Sequence, residues 1–296
     1  MDIIFPKSGK YVVAVSGGVD SVALLDLLRQ QTGIEIVVAH FDHGIRQDSS
    51  EDRKLVESLA KNYGLLFVSE EGNLGPNASE AIARDARYEF LRNVVNENSA
   101  SAVITAHHQD DLLETAILNM LRGTGRKGLT SLVSNSEIVR PLLNVSKADL
   151  IKYAEDNNLE WREDSTNTDT TYLRNYVRHN LLSQFSEQNK KNLMKKLNEL
   201  KDTNNELDKL LNEILINQVV DGEVSRQWFV QLPHSLAKEF MASWLRSEGV
   251  RDFDSPALER LVVGAKTAAA GKHIEAIKGF KLAVNKHNLA LKGPER

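Results

Sequence analysis

The 296-residue chain is 41% hydrophobic and 26% charged, which suits one large domain or two ordinary ones with a buried core. It has no cysteine, so disulfides, zinc–thiolate sites and iron–sulfur clusters are excluded. No apolar run nears the roughly 18 residues of a membrane span, and the start, Met1-Asp2-Ile3-Ile4-Phe5-Pro6, has no basic segment ahead of an apolar core, so a cytoplasmic chain without a membrane partner is expected.

Strand and helix patterns alternate up to about residue 185, which argues a parallel α/β sheet. Tyr11-Val12-Val13-Ala14-Val15 is a β-branched apolar run and reads as a buried strand. It leads through Ser16-Gly17-Gly18-Val19-Asp20-Ser21 into a helix carrying Val22, Leu24, Leu25, Leu27 and Leu28. A second strand is predicted over 34–39, a helix over 52–63 closed by Gly64, and a third strand over 65–68. Asn77-Ala78-Ser79-Glu80 has capping-box spacing and opens a helix to about Val95. A short strand at 102–105 precedes a helix over 110–122, and Ser146 caps one through Tyr153. Residues 186–218 read as a long polar connecting helix. After the break at Asp221-Gly222, helices are expected around Phe240, Trp244 and Leu245 and around Leu258, Leu261 and Val262, with small strands or a hairpin between Gly271 and Leu291.

The loop after the first strand has the chemistry of a phosphate site. Gly17 and Gly18 remove Cβ atoms so that backbone N–H groups can approach an anion, and the helix start adds donors and partial positive charge. Ser16 and Ser21 can add hydroxyls, and Asp20 can hold the magnesium that travels with a nucleotide. The chain has no Gly-Lys-Ser/Thr triplet, so this is not a Walker A loop. A glycine-rich turn with a serine cap is the plainer alternative, and it leaves Asp20 and the second serine unexplained.

Ligands of open α/β sheets sit beyond the carboxyl ends of the strands. His40-Phe41-Asp42-His43-Gly44-Ile45-Arg46 follows the second strand, and His107-His108-Gln109-Asp110-Asp111-Leu112-Leu113-Glu114 follows the strand ending near Ile104. Asp111 and Glu114 are spaced to share a helix face, where paired carboxylates could bind an ammonium ion or accept its proton. Asp110 could equally be an ordinary helix cap. Gly123-Thr124-Gly125-Arg126-Lys127-Gly128 follows a helix, so it is not a dinucleotide fingerprint; with Arg122 its cations suit a loop touching phosphate, or it is a C-capping loop. Arg174 and Arg178 lie one helical turn apart and could hold phosphate, or be two solvated arginines on a helix. Lys190, Lys191 and Lys195 form a basic stretch, and from Lys238 to Arg296 eleven Lys/Arg face seven Asp/Glu although the whole chain carries −4. A solvated helix face is the alternative for the lysines.

Ser16 to Ser21 resembles the Ser-Gly-Gly-x-Asp-Ser loop of the N-type ATP pyrophosphatases. The ordered set of Asp42-His43-Gly44-Ile45-Arg46, His107 to Thr115, Arg122-Gly123-Thr124-Gly125, Arg140-Pro141-Leu142-Leu143, Glu163-Asp164-Ser165-Thr166-Asn167 and Arg174-Asn175-x-x-Arg178 resembles the tRNA(Ile)-lysidine synthetase family. The resemblance implies a parallel-sheet, adenine-nucleotide α-hydrolase-like (PP-loop) domain over 1–185, a connecting helix over 186–220, and a small basic tRNA-binding domain over 221–296, mainly helical with a short β element. It implies ATP with Mg2+ as cofactors, and free lysine and the CAU-anticodon tRNA(Ile) as partners. The implied reaction joins lysine to C2 of the wobble cytidine through an adenylated C2 oxygen, releasing AMP and pyrophosphate. Ser16, Gly17, Gly18, Val19, Asp20 and Ser21 would hold ATP, with Asp20 at the metal. His43, Arg46, His107 and Asp110 would serve the nucleotide or the chemistry, and Asp111 and Glu114 would bind lysine. Arg122, Arg126, Lys127, Arg174, Arg178, Lys190, Lys191 and Lys195 would contact tRNA. Two other functions are open to the same loop: a tRNA thiolase, against which the absence of cysteine counts, and a nucleotide-binding module that releases no pyrophosphate.

Overall fold

Five strands pair in the order β3-β2-β1-β4-β5, every neighbouring pair parallel: β1 (Gly9–Ala14), β2 (Ile34–Asp42), β3 (Leu66–Glu71), β4 (Ala102–Ile104) and β5 (Ile138–Val139). The computed structural model describes residues 1–44, 49–72, 79–162, 173–250, 253–276 and 279–293. The chain divides into two compact units, Met1–Arg122 with Gly128–Lys195, and Gly123–Lys127 with Lys196–Arg296.

In the first unit the strands alternate with α1 (Val19–Arg29), α2 (Ser49–Asn62), α3 (Glu80–Glu97) and α4 (Gln109–Leu121); a short α5 (Arg126–Leu129), whose first two residues belong to the second unit, precedes β5. Then come α6 (Lys147–Asp156), α7 (Leu173–Tyr176) and a π-helical turn over Val177–Leu181. The apolar runs are continuous because the sheet is covered on both faces. Val13, Val15, Val38 and Ile104 pack with Leu24, Leu25 and Leu28 of α1, Val56 of α2 and Leu150 of α6. Val12, Val37 and Val103 point the other way, against Tyr88, Leu91 and Val94 of α3. Burying each such leucine stabilises the fold by about 1.5–3 kcal/mol.

Local signals explain the helix starts. Ser79 Oγ accepts from the Ile82 amide at 3.3 Å and caps α3; Asn77, the cap expected from the capping-box spacing, lies outside the described residues. Ser146 Oγ accepts from Asp149 N at 3.1 Å and caps α6 as expected.

The second unit is built around the later part of α8 (Glu187–Gln218) and five short antiparallel strands in the order β6-β7-β10-β9-β8. These are β6 (Val219–Val220), β7 (Glu223–Ser225), β8 (Lys272–Glu275), β9 (Lys281–Val284) and β10 (Asn288–Lys292), with α9 (Arg226–Gln231), α10 (His234–Ser247) and α11 (Ser255–Thr267) between β7 and β8. The small strands expected between Gly271 and Leu291 are β8, β9 and β10; β6 and β7, too short to show a period, extend their sheet. Phe229, Phe240, Trp244 and Leu245 form its core with Leu282, Val284 and Leu289. Leu211 and Leu215 of α8 are buried, so the polar helix also contributes a core stripe. Among the described residues no helix is long and apolar enough to cross a membrane.

Candidate active site

The sheet order reverses between β1 and β4, since the chain leaves β1 toward β2 on one side and later returns to β4 on the other. Loops diverge at such a switch point and leave a crevice. A cleft of about 1000 Å³ opens there, lined by Ser16, Gly18 and Asp20, His40 to His43, His107, His108, Asp110, Asp111, Glu114, Lys147, Arg162 and Arg178.

The β1–α1 loop is braced from within. The Ser16 and Gly17 amides donate to Ser21 Oγ at 3.2 Å each, and that hydroxyl donates to Gly18 O at 2.8 Å. Ser21 is therefore a buried strut, while Ser16 is exposed. Gly17 has φ +96°, a conformation that favours glycine. Gly18 has φ −74° and caps α1 without a side-chain hydrogen bond. A Cβ on Gly18 would meet only Ser16 Oγ at 3.6 Å and Arg162 O at 4.0 Å, so the protein leaves space above this residue. Gly17 O accepts from Arg162 N at 3.0 Å, and Arg162 Nε donates to Asp52 Oδ1 at 2.7 Å.

Asp20 is the charged centre of the loop. Lys147, the first residue of α6, places Nζ 2.7 Å from both carboxylate oxygens. His108 Nε2 lies 3.6 Å from Asp20 Oδ2 and 3.5 Å from Asp111 Oδ2. Burial pushes the Asp20 carboxyl upward, but His108 and Lys147 outweigh it and hold the pKa below its usual value. Divalent cations take carboxylate and water oxygens. As the side chains stand, Asp20 is an ion-pair partner of an ammonium, and no cluster of three metal-ligating side chains occurs among the described residues. Lys147 was not singled out in the sequence, because a lysine one residue after a serine cap resembles any helix start.

The two adjacent histidines divide their work. His108 Nδ1 accepts from Asp110 N at 3.2 Å and Asp111 Oδ2 accepts from His108 N at 3.0 Å, so His108, not Asp110, caps α4. Burial lowers the His108 pKa, and Asp20 and Asp111 more than offset it. His107 sits on Thr105 Oγ1 at 2.8 Å. Burial, opposed by Asp111 and helped by Arg140, Arg87 and Arg84, lowers the His107 pKa to about 3. Asp110 turns Oδ2 toward Lys190 Nζ at 4.0 Å, and its Oδ1 is buried with no hydrogen-bond partner among the described residues. His43 lines the cleft edge-on to Phe41, with ring centroids 5.0 Å apart. Arg46 lies outside the described residues.

Asp111 and Glu114 do share a face of α4, and the paired arginines meet them there. Arg178 clamps Glu114, with its second contact, NH2 to Oε2, at 3.0 Å, and approaches Asp111 Oδ1 at 3.6 Å. Arg174 lies 3.6 Å from Glu114 Oε2 and donates to Thr115 Oγ1 at 3.3 Å. The Glu114 side chain is 0% exposed and that of Asp111 19%. Burial raises the Glu114 pKa despite Arg178.

The remaining cations are scattered. Arg122 ends α4 in solvent, and Lys191 and Lys195 are exposed on α8. Lys190 is turned inward, into the cleft. In the second unit Arg126 donates to Asn204, Asp208 and Glu239 at 2.8–3.2 Å, and Lys127 pairs with Asp208 at 2.7 Å.

Comparison with known proteins places this geometry. The tRNA(Ile)-lysidine synthase of Thermotoga maritima is 36% identical over 194 residues, covering 62% of this chain and 47% of that protein. The enzyme of the same name from Nitrosomonas europaea is 33% identical over 270 residues, 86% of this chain and 58% of the relative. That of Geobacter sulfurreducens is 38% identical over 191 residues, 60% and 41% respectively. The chain thus spans about half the length of the curated relatives it matches. A family model described as the PP-loop domain matches residues 3–185. With the Ser-Gly-Gly-x-Asp-Ser loop at the switch point of a five-stranded parallel sheet, the chain belongs to the PP-loop domain family.

Proposed function

We propose that this chain is an ATP-dependent tRNA-modifying ligase that joins free lysine to C2 of the wobble cytidine in a CAU-anticodon tRNA(Ile). The observation that carries the reading is the position of His108. It lies 3.6 Å from Asp20 in the first turn of α1 and 3.5 Å from Asp111, so a site suited to phosphate and a site suited to an amine adjoin across one imidazole.

The chemistry asks for three neighbouring substrates. The cytosine C2 oxygen is a poor leaving group. It attacks the α-phosphorus of ATP, the bond to the β-phosphate breaks, and pyrophosphate departs. The lysine amine then attacks C2, and the oxygen leaves with AMP. The open space above Gly18, the exposed Ser16 hydroxyl and the N-terminus of α1 receive the departing diphosphate, while the Gly17 amide braces the loop through Ser21. Lysine, with a side-chain pKa of ~10.4, must lose a proton before attack. Asp111 is the carboxylate with access and takes the ammonium. Glu114, buried against Arg178, shapes the floor of that subsite. Arg122, Lys191 and Lys195 and the basic C-terminal segment attract the tRNA backbone independently of sequence. The target base enters the cleft from a single-stranded loop, where unstacking costs least.

The reading is tested by pyrophosphate release with ATP, lysine and CAU-anticodon tRNA, omitting each in turn. Sustained release is expected only with all three present. Release that ignores the tRNA, or turnover supported by sulfide in place of lysine, would overturn it; sulfide dependence would instead mark a thiolase.

A further inference from the structure

The β1–α1 loop grips phosphate without a lysine of its own, since no Gly-Lys-Ser/Thr triplet occurs in the chain. It carries instead a carboxylate, Asp20, which by itself would repel a diphosphate held nearby. We infer that Lys147 is the diphosphate-binding cation of this site, supplied by α6 and held ready on Asp20.

Three observations support the assignment. Lys147 Nζ contacts both Asp20 oxygens at 2.7 Å, which uses two of an ammonium's three donors and leaves one for a ligand. Its side chain is 36% exposed and lines the same cleft as Ser16 and Gly18, so the remaining donor is not sealed into the fold. Lys147 also occupies the first position of α6, where the helix dipole disfavours a cation. A lysine kept at that end has a partner elsewhere, and Asp20 is the partner it faces.

Two contacts set the position of α6, which carries Lys147. Ser146 caps α6, and the Tyr153 hydroxyl donates to Asp26 Oδ2 of α1 at 2.7 Å. The helix that carries the loop's aspartate and the helix that carries the lysine are therefore tied at a second point. An ammonium held between Asp20 and a diphosphate cancels their repulsion and makes a charge-assisted hydrogen bond to phosphate. As pyrophosphate departs, the cation is still paired with Asp20 and needs no reorganisation.

The assignment rests on the loop being the diphosphate site, and the test separates the two. Titration calorimetry measures inorganic pyrophosphate and AMP binding to the wild-type chain and to Lys147→Met and Lys147→Arg. The Met variant is expected to lose pyrophosphate affinity by about tenfold or more while AMP binds as before. The Arg variant, which keeps the charge, stays within about threefold of wild type and serves where the Met variant fails to fold. Pyrophosphate bound equally by wild type and Lys147→Met overturns the role of Lys147 and leaves the loop's function standing. An equal loss of AMP overturns it too, since the damage is then not to the diphosphate subsite. A wild-type chain that binds neither ligand sinks the loop reading itself.

Discussion

The Tyr153 hydroxyl lies 2.7 Å from Asp26 Oδ2, and six residues earlier on each of the same two helices Lys147 lies 2.7 Å from Asp20. Asp26, its side chain 2% exposed, also receives Arg29, Gln30 and Tyr63. Burial and Asp26 together push the Tyr153 pKa up to about 12. Tyr153→Phe removes one donor of several and is expected to cost about 1 kcal/mol in urea unfolding. Asp26→Ala strips the centre of the network, strands several donors, and is expected to cost more than twice as much.

The two glycines of the β1–α1 loop differ in what they are for. Gly17→Ala places a side chain at φ +96° and is expected to lower stability by about 1–2 kcal/mol. Gly18→Ala has an ordinary φ of −74° and open space around it, so stability should change by less than about 1 kcal/mol while nucleotide affinity falls. Thermal melts paired with ATP titration check both halves.

Arg178 neutralises a carboxylate that has no access to water. Arg178→Met leaves the buried Glu114 with the longer Arg174 contact at 3.6 Å in place of its bidentate clamp, at a cost of about 3 kcal/mol or less. Adding Glu114→Gln should recover much of that loss. A double-mutant cycle in urea reads the coupling; stability losses that simply add would show that the pair is not coupled.

Lysine recognition through Asp111 predicts a selective defect. Asp111→Asn is expected to raise the KM for lysine at least tenfold more than the KM for ATP, because one charge-assisted hydrogen bond is lost at the amine. Parallel rises in both constants would place Asp111 at the nucleotide instead.

His107 makes stability depend on pH. In the folded protein its pKa is lowered from 6.5 to about 3, first by burial, so it stays neutral where the unfolded chain takes up a proton. Between those values the unfolded state binds more protons, and stability falls as pH drops below 6.5. The slope contributed by this one group is at most about 1.4 kcal/mol per pH unit. His107→Gln should flatten that part of the profile, as read by urea midpoints from pH 7 to pH 5.

The parallel sheet was legible because β-branched runs such as Tyr11 to Val15 are buried on both faces and leave an unbroken signal. The face shared by Asp111 and Glu114 followed from helical spacing alone. Contacts between distant segments did not. Nothing in the order of residues says that Arg178 closes on Glu114, or that Lys147 reaches Asp20 from 127 positions away. The division between His107 and His108 was equally hidden, since neighbouring identical side chains are told apart only by what packs on each. The short β6 and β7 escaped for a simpler reason: two or three residues carry no period.

His108 gives the cleft a directional proton. Its Nδ1 is committed as an acceptor at the start of α4, so the neutral ring carries its hydrogen on the nitrogen aimed at Asp20 and Asp111. A second proton cannot be taken up without surrendering that helix cap. Asp20 and Asp111 favour that second proton, so the two carboxylates and the helix cap pull the imidazole in opposite directions.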